Sequence, residues 1–163
     1  MGTLRGGQWR RVLLYSLALL AGIVVIARLA DLFAGRPPAN LGVRDGVLAA
    51  CPTSPNCVSS AAKDAEHAIA PLAFAGDPRA ALVRLAKLVA VQPRARIVEQ
   101  NDSYLRTEFK SVTMGFVDDV EFLLDPNAGV IQVRSASRLG RRDFGVNRAR
   151  VEALRAAFVA AAK

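Results

Sequence analysis

Hydrophobic positions fall into three regimes along the chain. From Val12 to Ala27 the sequence VLLYSLALLAGIVVIA carries no charge. As a helix these residues cover roughly 24 Å, short of a hydrocarbon core of about 30 Å. Leu29, Ala30, Leu32 and Phe33 continue the apolar character, and Arg28 can snorkel, so a span over 12–34 is feasible. Arg28 and Asp31, three apart, can pair on one helix face. The second regime, 35–48, has no periodicity. Arg36-Pro37-Pro38 stiffens it, Asn40, Gly42 and Gly46 interrupt it, and it reads as a linker.

The third regime, 49–163, alternates between helical and strand periods. Asp77-Pro78 opens a helix, with Asp as N-cap and Pro in the first position. Leu82, Leu85 and Val89 then recur at helical spacing, beside Ala81, Ala86 and Leu88, and Pro93 stops them. Arg79, Arg84 and Lys87 are expected outside. Arg96–Gln100 reads as a strand. Leu105, Thr107 and Phe109 alternate with Tyr104, Arg106, Glu108 and Lys110, and Val120, Phe122 and Leu124 with Asp119, Glu121 and Leu123. Asp125–Gly129 is a turn, and Ile131 and Val133 continue the core face.

Keeping apolar faces together sets Phe122 opposite Val133 and Leu124 opposite Ile131, which brings Glu121 opposite Arg134. Val151, Leu154, Phe158 and Ala161 mark the buried stripe of a last helix, with Asn147 expected to cap it and Arg148, Arg150, Glu152 and Arg155 mostly outside. Residues 58–74 are ambiguous between a short helical turn and an edge segment. The expected class is α+β: a small antiparallel sheet of three to five strands packed against two helices, behind one N-terminal transmembrane helix.

Charge sharpens the first regime. The chain has 22 Lys and Arg against 14 Asp and Glu, net +8. Arg5, Arg10 and Arg11 precede the apolar run and Trp9 sits where an interfacial aromatic belongs. Residues 1–11 are therefore expected in the cytoplasm, with a single pass through the inner (plasma) membrane and the C-terminal domain in the periplasm. A cleaved signal peptide is the rival reading, but no good A-x-A site follows and the run is long for such a region. Both readings export the domain. A basic domain beside a membrane suits anionic headgroups or solubility alone. Nucleic acid is not expected, because no basic stripe is interleaved with aromatics. Oligomeric state is not readable.

Cys51 and Cys57 are six apart with two prolines between, and in an oxidising compartment a disulfide is the default. The spacing does not suit C-x-x-C chemistry. A metal would need His67 and a carboxylate such as Asp64, and a Cys57 nucleophile would have only His67, with no evident orienting partner; neither a metal nor a cofactor is expected.

The stretch CPTSPNCVSS at 51–60, with FVDDVEF at 116–122, RSASR at 134–138 and DFGVNRAR at 143–150, resembles the domain-of-unknown-function family 1499. The resemblance spans about 49–163. It implies a bacterial or plastid protein, often behind an export or membrane segment. That family carries no established enzymatic activity, so no catalytic residues can be carried over.

The polar stretch Val130–Arg150 supplies the candidate ligand site: Arg134, Ser135, Ser137, Arg138, Asp143, Asn147 and Arg148. Arg134 and Arg138 would act as bidentate donors to a carboxylate or phosphate, and amides near 145–148 would add anion affinity. Binding loss with little change in melting temperature is then expected for Arg134→Ala or Arg138→Ala. A secondary polar cluster comprises Arg106, Glu108, Asp119 and Glu121. The leading expectation is a non-catalytic module for an anionic ligand, envelope component or protein partner. The alternative is an envelope hydrolase using Glu108 with Asp119 or Glu121 as an acid–base pair. Ser135 and Ser137 have no histidine or nucleophile elbow to activate them. An open charged face favours binding or catalysis, and a covered, paired one favours architecture.

Overall fold

A computed structural model of the chain describes residues 6–112 and 114–162, and within the first helix the side chains of 8–26 and 33–34. Helix α1 (Gly6–Ala34) is followed by a small hairpin, β1 (Val43–Arg44) and β2 (Val47–Leu48). The main sheet is built from β3 (Cys57–Ser59), β4 (Leu72–Ala73), β5 (Ala95–Gln100), β6 (Tyr104–Lys110), β7 (Val117–Asp125) and β8 (Val130–Ser137). Helix α2 (Pro78–Ala90) precedes β5, and α3 (Val146–Ala160) closes the chain.

Residues 8–26 of α1 form an apolar span of mean hydropathy 1.8, none of it buried against the domain. By length and composition this helix is able to cross a membrane, and a signal sequence would meet the same description. Arg5 and the Arg28–Asp31 pair lie outside the described residues and side chains. Beyond the span, Phe33 packs edge-on against Phe116, ring centroids 5.7 Å apart. Helix and domain are thus in contact where α1 ends.

The sheet is antiparallel in the order β3-β8-β7-β6-β5, with β4 also paired to β8. Phe122 lies opposite Val133, Leu124 opposite Ile131 and Glu121 opposite Arg134, the register that apolar matching alone requires. The ambiguous residues 58–74 complete the edge beside β8 as two short strands, bringing the sheet to six.

One face carries the core. Leu105, Val120, Phe122, Ile131 and Val133 meet Leu82, Leu85 and Val89 of α2 and Val151, Leu154 and Phe158 of α3. Each such side chain contributes about 1.5–3 kcal/mol when withdrawn from water. Asp77 caps α2 as expected, accepting from the Ala80 amide at 2.6 Å. Ala161, expected in the buried stripe of α3, is instead its exposed C-cap. Arg84, expected outside, lies half-buried with its guanidinium 4.3 Å from the Phe158 ring centre.

Residues 35–48, which read as a linker, do not stand clear of the domain. Asp45 at φ 52° and Gly46 at φ 75° turn the β1–β2 hairpin. The hairpin lays Leu48 against Tyr104 and Leu123, on the sheet face opposite α2 and α3.

Candidate functional site

A strand's side chains alternate between faces, so the polar residues of β8 cannot form one site. Ser135 and Ser137 point with Val133 toward the helices. Arg134 and Arg138 share the opposite face with Arg106, Glu108, Asp119 and Glu121. The seven candidate residues are distributed over both sides of the sheet and, for Arg148, beyond it.

On the helix side, Asn147 is completely buried. It is not the cap of α3: the N-cap position is Gly145, and Asn147 lies inside the first turn. Its side-chain oxygen accepts from Ser135 Oγ and from Arg150 Nη1. Its amide nitrogen donates to Ser137 Oγ, Asp143 Oδ2 and the Asn56 carbonyl. Asp143 does the capping work, accepting from the Gly145 amide at 3.1 Å and the Asn147 amide at 2.8 Å. The anion affinity expected of this helix start is therefore met by the chain's own carboxylate. Arg150 continues the network, donating to Asp118 Oδ2 at 2.6 Å and lying 4.7 Å from the Phe109 ring centre. Arg148 turns away and donates to the carbonyls of Ala68 and Glu66. Arg155 likewise holds those of Pro71 and Ala70. These α3 arginines were expected mostly outside; carbonyl acceptors draw them onto residues 66–71.

On the other face, charges stand in two rows across the strands. In the first, Glu99, Arg106, Glu121 and Arg134 alternate in sign from neighbour to neighbour. Glu121 has no exposure to solvent. It accepts from Arg134 Nη1 at 3.2 Å, Tyr104 Oη at 2.8 Å and the Gly42 amide at 2.7 Å. Burial, with the bond donated to Glu121, drives the Tyr104 phenol far above its ordinary range.

The second row places two carboxylates, Glu108 and Asp119, directly opposite each other. Like charges in that position repel. Arg138 resolves the clash. It grips Asp119 with Nε at 2.7 Å and Nη2 at 2.8 Å, and Nη2 also meets Glu108. Arg96, opposite Glu108, takes its other oxygen at 2.7 Å. Burial alone would raise the Glu108 carboxyl, but Arg138 and Arg96 hold it below the ordinary value. A general acid needs the reverse shift. The bidentate carboxylate expected for Arg138 is thus internal, and with a side chain only 4% exposed this arginine is part of the fold. Truncation of Arg138 is therefore expected to lower the melting temperature rather than leave it nearly intact.

The face is closed over Glu121 by Gly42 and Leu48, yet open at one end. Where α1 stops, a cavity of about 590 Å³ is lined by Ala34, Arg94, Arg96, Glu108, Lys110 and Arg138 among others. Arg94 and Lys110 make no ion pair among the described residues. Arg94 holds φ at 56°, a left-handed conformation that disfavours side chains. None of Arg94, Arg96 and Lys110 was singled out from sequence. Their signal lies only in pairing: Ala95 faces Phe109, so residues flanking the start of β5 meet the end of β6.

Cys51 and Cys57 are joined in a disulfide, so neither sulfur is free as nucleophile or ligand. His67 is buried and hydrogen-bonded within the fold. Its Nδ1 lies 2.6 Å from Asp64 Oδ1 and its Nε2 3.2 Å from the Ser54 carbonyl. Both partners accept hydrogen bonds, which favours the imidazolium. Burial opposes that charge, but Asp64 and the Ser54 carbonyl prevail and raise the His67 pKa.

No curated protein and no solved structure matches the chain. A family model described as a protein of unknown function, DUF1499, matches residues 47–158, more than half of the sequence, and the chain belongs to that family.

Proposed function

We propose that this is a membrane-anchored, exported binding module whose ligand is anionic and sits in the cavity beneath the end of α1. The apolar α1, Arg10 and Arg11 near its start and the disulfide after it support an inner-membrane anchor with a cytoplasmic N-terminus and a periplasmic domain. The observation that carries the binding role is the cavity's charge. Four cationic side chains, Arg94, Arg96, Lys110 and Arg138, line it against one carboxylate, Glu108. Arg96 and Arg138 already share Glu108, which leaves Arg94 and Lys110 as the cations available to a ligand. Arg138 serves as a fixed floor, oriented by Asp119.

Arg134, Ser135, Ser137, Asp143, Asn147 and Arg148 then hold the fold through their own hydrogen bonds rather than touch the ligand. With Glu108, Asp119 and Glu121 each held by arginine, their environment supports binding over acid–base catalysis.

The test is a titration of the full chain, in zwitterionic nanodiscs, with inorganic phosphate and with glycerol phosphate. Saturable binding should disappear in R94E/K110E, whose melting temperature stays near that of the parent because neither side chain makes an ion pair among the described residues. Saturable binding that survives both charge reversals would overturn the assignment of this cavity.

A further inference from the structure

The loops after β6 and β8 and the end of α1 meet at the same end of the domain. Lys110 pairs with Val117 and Asp118 with Ser137, so the loop after β6 and the loop after β8 leave the sheet side by side. The end of α1 lies there too. Phe33 packs on Phe116, at the foot of the first loop. Gly35 lies so close to the second that an added Cβ would stand 2.9 Å from Leu139 Cγ.

These loops expose apolar side chains: Val112 in the first, Leu139 and Phe144 in the second. Phe144 is the extreme case, 95% exposed with φ at 55°. A left-handed conformation is unfavourable for an aromatic residue. The turn is held by Asp143, whose carboxylate takes the Gly145 and Asn147 amides, and the ring is left standing in solvent. Arg36, next to Gly35, and Arg141 and Arg142, in the same loop as Phe144, are exposed and make no ion pair among the described residues. Of the carboxylates that line a pocket with Arg142 and Phe144, Asp143 is occupied by the turn and Glu66 is the other.

We propose that this pole docks on the surface of an anionic bilayer, with Phe144 and Leu139 entering the interface and Arg36, Arg141 and Arg142 meeting lipid phosphates. The inference rests on α1 being a retained anchor, as proposed above. The described part of the apolar span reaches Ile26, and the eight helical residues from there to Ala34 rise about 12 Å. The headgroup layer occupies about 5–8 Å of that distance. The pole therefore sits within about 10 Å of the headgroups, the reach of a loop with its side chains. Exposed aromatics flanked by arginines suit an anionic interface, where rings sit among headgroups and each cation is attracted by the surface potential. Docking would set the mouth of the Arg94–Lys110 cavity at headgroup level, so the anion it takes would be a lipid headgroup.

The experiment uses the full chain with W9F as background in nanodiscs whose lipids are brominated near the headgroup. Tryptophan is placed at three positions in turn: L20W within the span, F144W in the loop, and V159W near the far end of α3. L20W should be quenched in all discs. F144W should be quenched about threefold more than V159W in discs containing phosphatidylglycerol, and should fall to the V159W level in pure phosphatidylcholine or with R141E/R142E. Unquenched F144W beside quenched L20W would overturn docking and leave the anchor standing. Unquenched L20W would overturn the anchor itself. Blue-shifted but unquenched F144W emission would overturn the bilayer as occupant in favour of a second copy of the chain. Equal F144W quenching in both lipids would overturn the role of the arginines.

Discussion

Replacing Arg138 by alanine removes the one cation among the described residues that touches both Glu108 and Asp119. These carboxylates face each other across β6 and β7, and Asp119 is almost wholly buried. Truncating one partner of a buried ion pair typically costs 3–5 kcal/mol, because the remaining charge is left without compensation. Arg106 Nη1, 3.6 Å from Asp119 Oδ1, and Arg96 on Glu108 soften the loss, which places the expectation near 3 kcal/mol. A domain of about 110 residues unfolds with roughly 0.23 kcal/mol per degree of entropy near its midpoint, so the melting temperature should fall by about 13 °C. Differential scanning calorimetry of the full chain measures it.

A second signature separates this cause from simple loss of packing. Without Arg138, one of the facing carboxylates is pushed above its ordinary pKa. A group raised in the folded state favours folding at low pH, so the deficit should shrink as pH drops through the carboxylate range. R138M, which restores volume but not charge, should behave like R138A. A melting temperature within about 3 °C of the parent, or a deficit that ignores pH, would refute the reasoning.

Three further outcomes are expected. R94G relieves a left-handed arginine and should raise stability by roughly 0.5–1 kcal/mol, read as a midpoint shift in urea, while weakening phosphate binding; a loss of stability would show that the side chain contributes more than its backbone strain. His67 is the single histidine, so one imidazole resonance reports it by NMR. Its folded pKa lies above the ordinary 6.5, so its contribution is complete below about pH 6.5 and fades as pH rises through the folded value; D64N should lower the titration midpoint, and an unmoved midpoint would remove Asp64 as the cause. Reduction of Cys51–Cys57 frees a seven-residue loop and should cost about 2 kcal/mol by loop entropy, or about 10 °C in melting temperature; full reduction by thiol titration with no thermal shift would contradict it.

The strand register was legible because β7 and β8 alternate cleanly, and matching Phe122 to Val133 sets Glu121 opposite Arg134. The same period carried a second message, that Ser135 and Ser137 belong on the side away from Arg134 and Arg138. Grouping residues by proximity along the chain blurred it. The β1–β2 hairpin also had a local signal, Asp45-Gly46 between Val43 and Val47, a pair suited to two left-handed residues. The cap of α3 was ambiguous in kind: Asp143 and Asn147 both suit such positions, and only the Ser135–Ser137–Asn56 surroundings decide which is buried. The cavity under α1 was out of reach, since it needs the pairing of β5 with β6 and the position of Ala34. The partners of Arg148 and Arg155 were equally so, because a backbone carbonyl has no residue type to recognise.

Those last contacts bear on the order in which the molecule can be assembled. Arg148 and Arg155 reach back 80 to 85 residues to the carbonyls of Glu66, Ala68, Ala70 and Pro71. As the chain emerges from its N-terminus, residues 66–71 are made early, yet four of their acceptors wait for the final helix. Closing so long a loop is entropically slow compared with the hairpins β5–β6 and β6–β7. The edge bearing β4 is therefore the last part of the sheet to become secure. A chain that stops short of Val146 would hold a nearly complete sheet with its margin still unfastened, and proteases should find that margin first.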